Sequence, residues 1–373
     1  MQVPFLDLKR QTAPLLIELE ARARQVLESG RYILGAEVAA FEREFAQYCS
    51  ASSAIATNSG TSALHLALLA AGVGPGTEVI TVPFTFVATV AAILYTGAKP
   101  VFVDIDPSTY TMDVKRLAAS VTDKTRAIVP VHLYGQPADM DPILDLARAS
   151  GITVIEDACQ AHGARYKTRR VGGVGHLGCF SFYPSKNLGA CGEGGMVVTS
   201  NPEFERKIRM LRDWGQEGKH CHILQGFNYR MEEMQAALLR VKLPHLDSWN
   251  GSRALVAGLY DERLSEAGLQ GPQRTKYGQN VYHVYPIKVA DREAVRSHLL
   301  AGGVETGVHY PVPVHLMPAY AELGYPWGTF PVAEGMAREE LSLPLYPGMS
   351  VDEVDHVAAL LRSAPLRSIS QRS

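Results

Sequence analysis

The hydrophobic pattern of this chain switches between two periods. Leu15, Leu16, Leu19, Ala23, Val26 and Leu27 recur at helical spacing and stop at Gly30. Val38, Phe41, Phe45 and Tyr48 form one stripe over a second predicted helix, Ala36–Cys49. From residue 54 the texture changes to short runs rich in Val and Ile: Ala54–Thr57, EVITVP, PVFVDID, AIVPVHLYG, ITVIEDA, GCFSFYPSKN and GGMVVTS. Helical segments lie between them, one ending at Gly72, then TFVATVAAILYTG, Met112–Ser120 and Met140–Ala149. Strands that are apolar on both faces and separated by helices predict a buried, mainly parallel sheet. Ligands of such sheets gather at the carboxyl ends of the strands.

Beyond Ser200 the pattern is helical over Glu203–Arg212, polar through DWGQEGKHCHILQ, and strongly helical at Met234, Ala237, Leu238 and Val241 as far as Pro244. A helix over Ser252–Leu264 leads away from the first domain. After Gly271, NVYHVYPIKVA predicts a strand and Glu293–Ala301 a helix. VETGVHYPVPVHL predicts a strand running into a proline-rich loop, and Val351–Arg362 a last helix before a frayed SISQRS. The expected division is a large domain over residues 1–250 and a smaller α+β domain over residues 251–373.

Composition narrows the classes. The 373 residues are 46% hydrophobic and 20% charged, as in an ordinary soluble globular protein. A net charge of -2 argues against nucleic-acid binding. Five cysteines without a CxxC pair argue against a disulfide framework or a structural zinc site. The start, MQVPFLDLKRQ, lacks a signal-peptide apolar region and no run approaches a membrane span, so a cytoplasmic location is expected.

The most unusual stretch chemically is CFSFYPSKNLGACGEGG, residues 179–195. Its Lys186 stands between an aromatic approach and a run of glycines. Such surroundings desolvate an ammonium, lower its pKa and leave a nucleophile, although an exposed turn lysine fits the same letters. Asn58-Ser59-Gly60-Thr61-Ser62 joins a short strand to an apolar helix, and a small-residue turn there offers backbone N–H groups to a phosphate. The motif is neither a Walker A loop nor a full GxGxxG, and a plain N-cap explains it equally well. ITVIED ends in Glu156 and Asp157, one of which faces a site while the other faces away. Asp104 and Asp106 fit turn caps better than catalysis. His132 and Tyr134 fall at another strand end, and Lys219, His220 and His222 make an anion-friendly or merely solvated loop.

Pyridoxal phosphate asks a protein for an imine-forming lysine, an acid against the pyridine nitrogen, an anion cradle and a flat apolar group on the ring. Lys186, Asp157, Gly60-Thr61-Ser62 and Phe86 supply these in one α/β context. The chain resembles the DegT/DnrJ/StrS sugar aminotransferases almost end to end, through VPFLDLK, GRYILGAEVAAFEREFA, NSGTSALHLAL, VPFTFVAT, VFVDIDPSTY, VHLYGQPADMD, VIEDACQAHGA, FSFYPSKNLGACGEGG, GFNYRMEEMQAALLRVKL and GVHYPVPVHLMPAY. That resemblance implies a type I pyridoxal-phosphate transferase fold, similar to aspartate aminotransferase. It gives Lys186 as the cofactor's lysine and Asp157 as the pyridinium partner. Thr61, Ser62 and Ser181 would bind phosphate, Phe86 would stack on the ring, and Gln160 would contact the ring-hydroxyl face. Asn228 would reach the phosphate from a neighbouring subunit, implying a homodimer. Tyr183, Arg230, His309 and Tyr310 match positions lining the sugar and donor pocket.

The implied activity is transfer of an amino group from L-glutamate to a dTDP- or UDP-linked keto sugar. The lead-in VPFLDLK, the GRYILG segment and the tail PAYAELGYPWGTFPVAEGMAREELSLPLYP look most like members aminating C3, with C4 as the alternative. A dehydrating branch of the family carries histidine in place of the lysine, and this chain keeps lysine. The competing class is a non-catalytic regulator built on the same fold.

Overall fold

The Val- and Ile-rich runs join into one seven-stranded sheet in a computed structural model of the chain, which describes residues 1–265, 268–269 and 271–366. The SISQRS tail, expected to be frayed, lies outside the described residues. The strands are β1 (Ser53–Thr57), β2 (Glu78–Thr81), β3 (Lys99–Phe102), β4 (Thr125–Ile128), β5 (Thr153–Asp157), β6 (Leu177–Ser181) and β7 (Gly195–Thr199). Their order across the sheet is β1-β7-β6-β5-β4-β2-β3. Strand β7 runs antiparallel to both β1 and β6, and the remaining pairs are parallel. Six strands therefore end on the same edge, which carries Asn58, Asp157 and Ser181 to one place.

Helices cover both faces, as a sheet apolar on both sides requires. Helix α1 is Leu16–Ser29, α2 Ala36–Cys49, α3 Gly60–Ala70, α4 Ala88–Tyr95, α5 Met140–Ser150, α6 Pro202–Arg212 and α7 Glu233–Lys242. Helix α3 is apolar almost all round and is buried against the sheet and α4. On the other face Phe41 and Phe45 of α2 interlock edge-to-face with Phe180 and Phe182, fixing the strand that leads to Lys186.

A second core gathers Val256, Tyr260, Ile287, Leu299, Leu341 and Val357. It is built from α8 (Leu246–Ser265), strand β8 (Tyr285–Lys288), α9 (Arg292–Ala301), then α10 (Pro331–Glu339), strand β9 (Glu340–Leu343) and α11 (Val351–Ser363), with β8 and β9 antiparallel. Helix α8 runs straight through residue 250. The buried Arg253 on it donates to the main-chain oxygens of Tyr282 and Leu345 and ties the helix to this second sheet. The division is not clean along the sequence: Val3 belongs to the second core, whereas Val314, Phe330 and Met336 belong to the first. Among the described residues no helix is long and apolar enough to cross a membrane.

Four expectations change. The run AIVPVHLYG is strand only as far as Ile128; Pro130 offers no N–H to a ladder, and the chain then makes a tight turn at Leu133–Gly135. VETGVHYPVPVHL is not a strand: Val304 and Gly307 make isolated bridges, and Pro311 and Pro313 prevent continuation. Pro14 separates a short first turn from α1, so Leu16 and Leu27 are exposed while Leu15, Leu19 and Val26 are buried. The proline-rich tail also contains α10 and β9, which its composition concealed.

Candidate active site

The turn after β1 is shaped by its small residues. Ser59 caps α3, its Oγ accepting from Ser62 N at 3.1 Å, and the Ser62 hydroxyl donates to Asn58 Oδ1 at 2.6 Å. A Cβ on Gly60 would stand 2.6 Å from Ser181 Cβ, so only glycine lets the end of β6 approach the helix start this closely. The consequence is an open backbone cradle. Ser59, Gly60 and Thr61 face a cavity of about 580 Å³, with Ser181 beside them. Ser62, turned towards Asn58, is not part of its lining.

Lys186 rises into this cavity from a tight loop. Its N–H donates to Tyr183 O at 2.8 Å, and Ala190 N closes the loop on Phe182 O at 2.8 Å. Gly189 lies where a Cβ would meet Pro184 O at 2.3 Å, so the closure needs glycine. Burial lowers the Lys186 pKa from its ordinary value, and the nearby Asp157 carboxylate opposes that shift. A lysine held closer to neutral is the nucleophile its surroundings forecast.

Strand alternation separates the two acids at the end of β5. Glu156 turns away and is saturated by the N–H groups of Gly172, Val174 and Gly175 at 2.7, 2.8 and 2.6 Å, with His132 Nε2 at 2.9 Å. Asp157 turns into the cavity. Its Oδ2 accepts from Thr89 Oγ1 at 2.7 Å, Thr85 Oγ1 lies 2.9 Å from Thr89 Oγ1, and Cys159 N donates to Oδ1 at 3.2 Å. Burial pushes the Cys159 thiol well above its ordinary value, so it is no competing nucleophile.

The opposite wall is aromatic and amide-lined. Gln160 accepts from Tyr134 N at 2.7 Å and donates to the Tyr310 hydroxyl at 2.9 Å. The Tyr310 ring centroid is 5.7 Å from that of Phe86, a half-exposed residue that lines the cavity. Tyr183 and His309 complete the rim, with burial holding His309 down at about 4. Asn228 and Arg230 are elsewhere: Asn228 Oδ1 accepts from Arg230 Nε at 3.0 Å, Arg230 pairs with Asp213 at 3.2 Å, and neither lines this cavity.

Ser59, expected only as part of the turn over residues 58–62, also lines the cavity, as do Thr85, Thr89 and His283, which the sequence did not single out. Thr85 and Thr89 are four apart in VPFTFVAT, the spacing of one face of the helix predicted there, although Thr85 precedes the first turn of α4 in the structure. Nothing in the local pattern marks His283. The remaining polar candidates are structural. Asp104 accepts from the N–H groups of Val332 and Ala333 at the start of α10, Asp106 from Ser108 and Thr109, and Lys219, His220 and His222 are exposed.

The residues fit pyridoxal phosphate by a direct test. A glycine-opened cradle, a buried amine and a carboxylate with a cavity-facing side occupy one volume, and a Cβ at Gly60 would collide with Ser181 beside the cradle. Comparison with known proteins agrees. The model of the DegT/DnrJ/EryC1/StrS aminotransferase family matches residues 17–362. dTDP-3-amino-3,4,6-trideoxy-alpha-D-glucose transaminase of Streptomyces venezuelae is 48% identical over 349 residues, 93% of this chain and 92% of that protein. UDP-N-acetyl-3-dehydro-alpha-D-glucosamine 3-aminotransferase of Acidithiobacillus ferrooxidans is 43% identical over 360 residues, 96% of this chain and 97% of that one. The crystal structure of DesV from S. venezuelae matches with a TM-score of 0.95 at 45% identity, covering 100% of this chain and 99% of that one.

Proposed function

The chain belongs to the DegT/DnrJ/EryC1/StrS aminotransferase family, and we propose that it moves the amino group of L-glutamate onto C3 of a dTDP- or UDP-linked 3-keto hexose, in the cytoplasm, as a homodimer with shared active sites. It is a pyridoxal-phosphate-dependent aminotransferase with nucleotide keto sugars as its substrate class. One relative above is named for a dTDP-linked 3-amino sugar and the other for 3-amination of a UDP-linked 3-dehydro sugar, which supports C3 and leaves both nucleotides in the proposal.

The observation that carries the reading is the shared cavity of Lys186, Asp157 and the Ser59-Gly60-Thr61 cradle. Pyridoxal phosphate, when bound, supplies an electron sink for the carbon that loses or gains the amino group. The main-chain N–H groups opening α3 would hold its phosphate, with Thr61 and Ser181 adding hydroxyls. Asp157, oriented by Thr89 and the Cys159 N–H, would keep a proton on the ring nitrogen. Phe86 would lie against the ring, and the Gln160–Tyr310 pair would border its hydroxyl edge. Lys186 then has two duties: it holds the cofactor at rest, and its amine takes up and returns the proton at the donor's α carbon. Tyr183, His309 and Tyr310 would border the sugar. Asn228 and Arg230, outside the chain's own cavity, would serve the neighbouring subunit's site.

Product analysis tests this. Incubation with L-glutamate and a panel of 3-keto and 4-keto dTDP- and UDP-hexoses should yield 2-oxoglutarate and a 3-amino sugar in equal amounts. Amination only at C4 would overturn the C3 assignment. No turnover across the panel, without cofactor absorbance in the purified protein, would favour a regulator on the same fold.

A further inference from the structure

His283 lines the cavity with Lys186 and has no part in the chemistry above. Its Nδ1 lies 3.2 Å from Asn187 Oδ1, and the proton in that contact can be located by following the hydrogen bonds to their end. Asn250 Nδ2 donates at 2.8 Å to the main-chain oxygen of His162, which can only accept. Asn250 Oδ1 consequently faces Asn187 Nδ2 at 2.8 Å, and Asn187 Nδ2 also donates to Val281 O at 3.0 Å. Two carbonyl oxygens that never titrate thus orient both amides, and Asn187 turns an acceptor towards His283. The imidazole must donate from Nδ1. Burial, with the Lys186 charge as the second cause, holds His283 well below its ordinary value, so the ring is neutral and Nε2 is a lone pair. Among the described residues Nε2 has no hydrogen-bond partner, and it is not sealed from the cavity.

His309 reaches the same state by an unrelated route. Ser342 Oγ donates its one proton to the Glu340 carboxylate and lies 2.8 Å from His309 Nδ1, so that nitrogen must donate to it. The cavity therefore carries two neutral imidazoles, each with its proton turned inward to the protein. Two lone pairs of this kind accept from hydroxyls.

We propose that His283 is a specificity-determining residue that, paired with His309, accepts hydrogen bonds from two hydroxyl groups of the hexose in the sugar half-reaction. Asn187 and Asn250 are its positioning residues. The proposal rests on the keto-sugar reading for its ligand, whereas the protonation pattern stands independently of it.

The first test is nitrogen NMR of the cofactor-loaded protein labelled with ¹⁵N-histidine, at a pH above the value of about 7 to which burial raises Glu340. Both rings should be protonated at Nδ1, the less common form of a free imidazole in water; a proton on His283 Nε2 overturns the proposal. The second test uses His283→Asn, which keeps an N–H for Asn187 and removes the Nε2 acceptor. Calorimetry with dTDP-glucose and UDP-glucose should show binding weakened about tenfold, the loss of one hydrogen bond. The glutamate-driven absorbance change should be unaltered. Equal binding by wild type and variant, or a variant impaired only with glutamate, overturns the assignment, as does wild type binding neither nucleotide hexose. Failure of the keto-sugar panel with these results intact would sink the activity and spare the acceptor pair.

Discussion

Thr89→Val removes one atom that the account depends on. Thr89 is buried on α4 and donates to Asp157 Oδ2 at 2.7 Å, behind a Thr85 hydroxyl 2.9 Å away. Valine keeps the shape and β-branching, so packing changes little, but Oδ2 loses its hydroxyl donor. A hydrogen bond to an ionised group contributes about 1.5–3 kcal/mol. If Asp157 works against the cofactor's ring nitrogen, that loss falls on the charge-separated stage of the reaction, and kcat should drop between about 10-fold and 150-fold. The Cys159 N–H still holds Oδ1 at 3.2 Å, so Asp157 remains in place and cofactor occupancy should survive. The assay is kcat for glutamate-dependent amination alongside the absorbance of bound cofactor. Thr85→Val, one link further out, should cost about fivefold, as loss of a neutral pair predicts. Unchanged kcat at full occupancy in Thr89→Val would refute the claim that this hydroxyl orients Asp157. Loss of the cofactor would show instead that the threonine pair serves binding.

Glu340 gives a pH prediction. Burial raises its carboxyl from 4.5 to about 7, so the folded state holds the proton more tightly than the unfolded chain. The stability it contributes is full below 4.5 and is lost as pH rises to about 7. Denaturant unfolding of Glu340→Gln should show a gain over wild type that grows across this window to at most about 3 kcal/mol and then levels off. A gap that stays constant with pH would contradict it. Gly60→Ala should destabilise by about 1–3 kcal/mol through the clash with Ser181 and weaken cofactor retention, checked by thermal unfolding and dialysis. Asn228→Ala should lower cofactor affinity, and mixed dimers of Asn228→Ala with Lys186→Ala subunits should regain activity, because one site then has both residues. No recovery in the mixture would place Asn228 in its own subunit's site.

Legibility followed the range of the cause. The sheet could be read because β5 carries Val154 and Ile155 regardless of the rest of the chain, and alternation alone separates Glu156 from Asp157. Strand β9 was obscured in the sequence although ELSL alternates polar and apolar residues: it is four residues long, its polar Glu340 and Ser342 are buried as well, and the prolines around it signal loop. The family resemblance places Ser62 with Thr61 and Ser181 on the phosphate, yet helix capping claims the Ser62 N–H and Asn58 claims its hydroxyl, which leaves Ser59, Gly60 and Thr61 at the cavity. His283 depends on Asn187, 96 positions before it, and through Asn187 on Asn250. No window along the chain contains that relation. Thr85 and Thr89 are the intermediate case, since their spacing was visible and only their acceptor was not.

The central claim is that Lys186, in the Asp157 cavity, holds the cofactor. Borohydride reduction of the cofactor-loaded protein, followed by proteolysis and peptide mass analysis, tests it most directly. The reduced cofactor should add its mass to the peptide carrying Lys186, and Lys186→Ala should show no addition on any peptide. The same addition on another lysine, or its persistence in Lys186→Ala, would contradict the account.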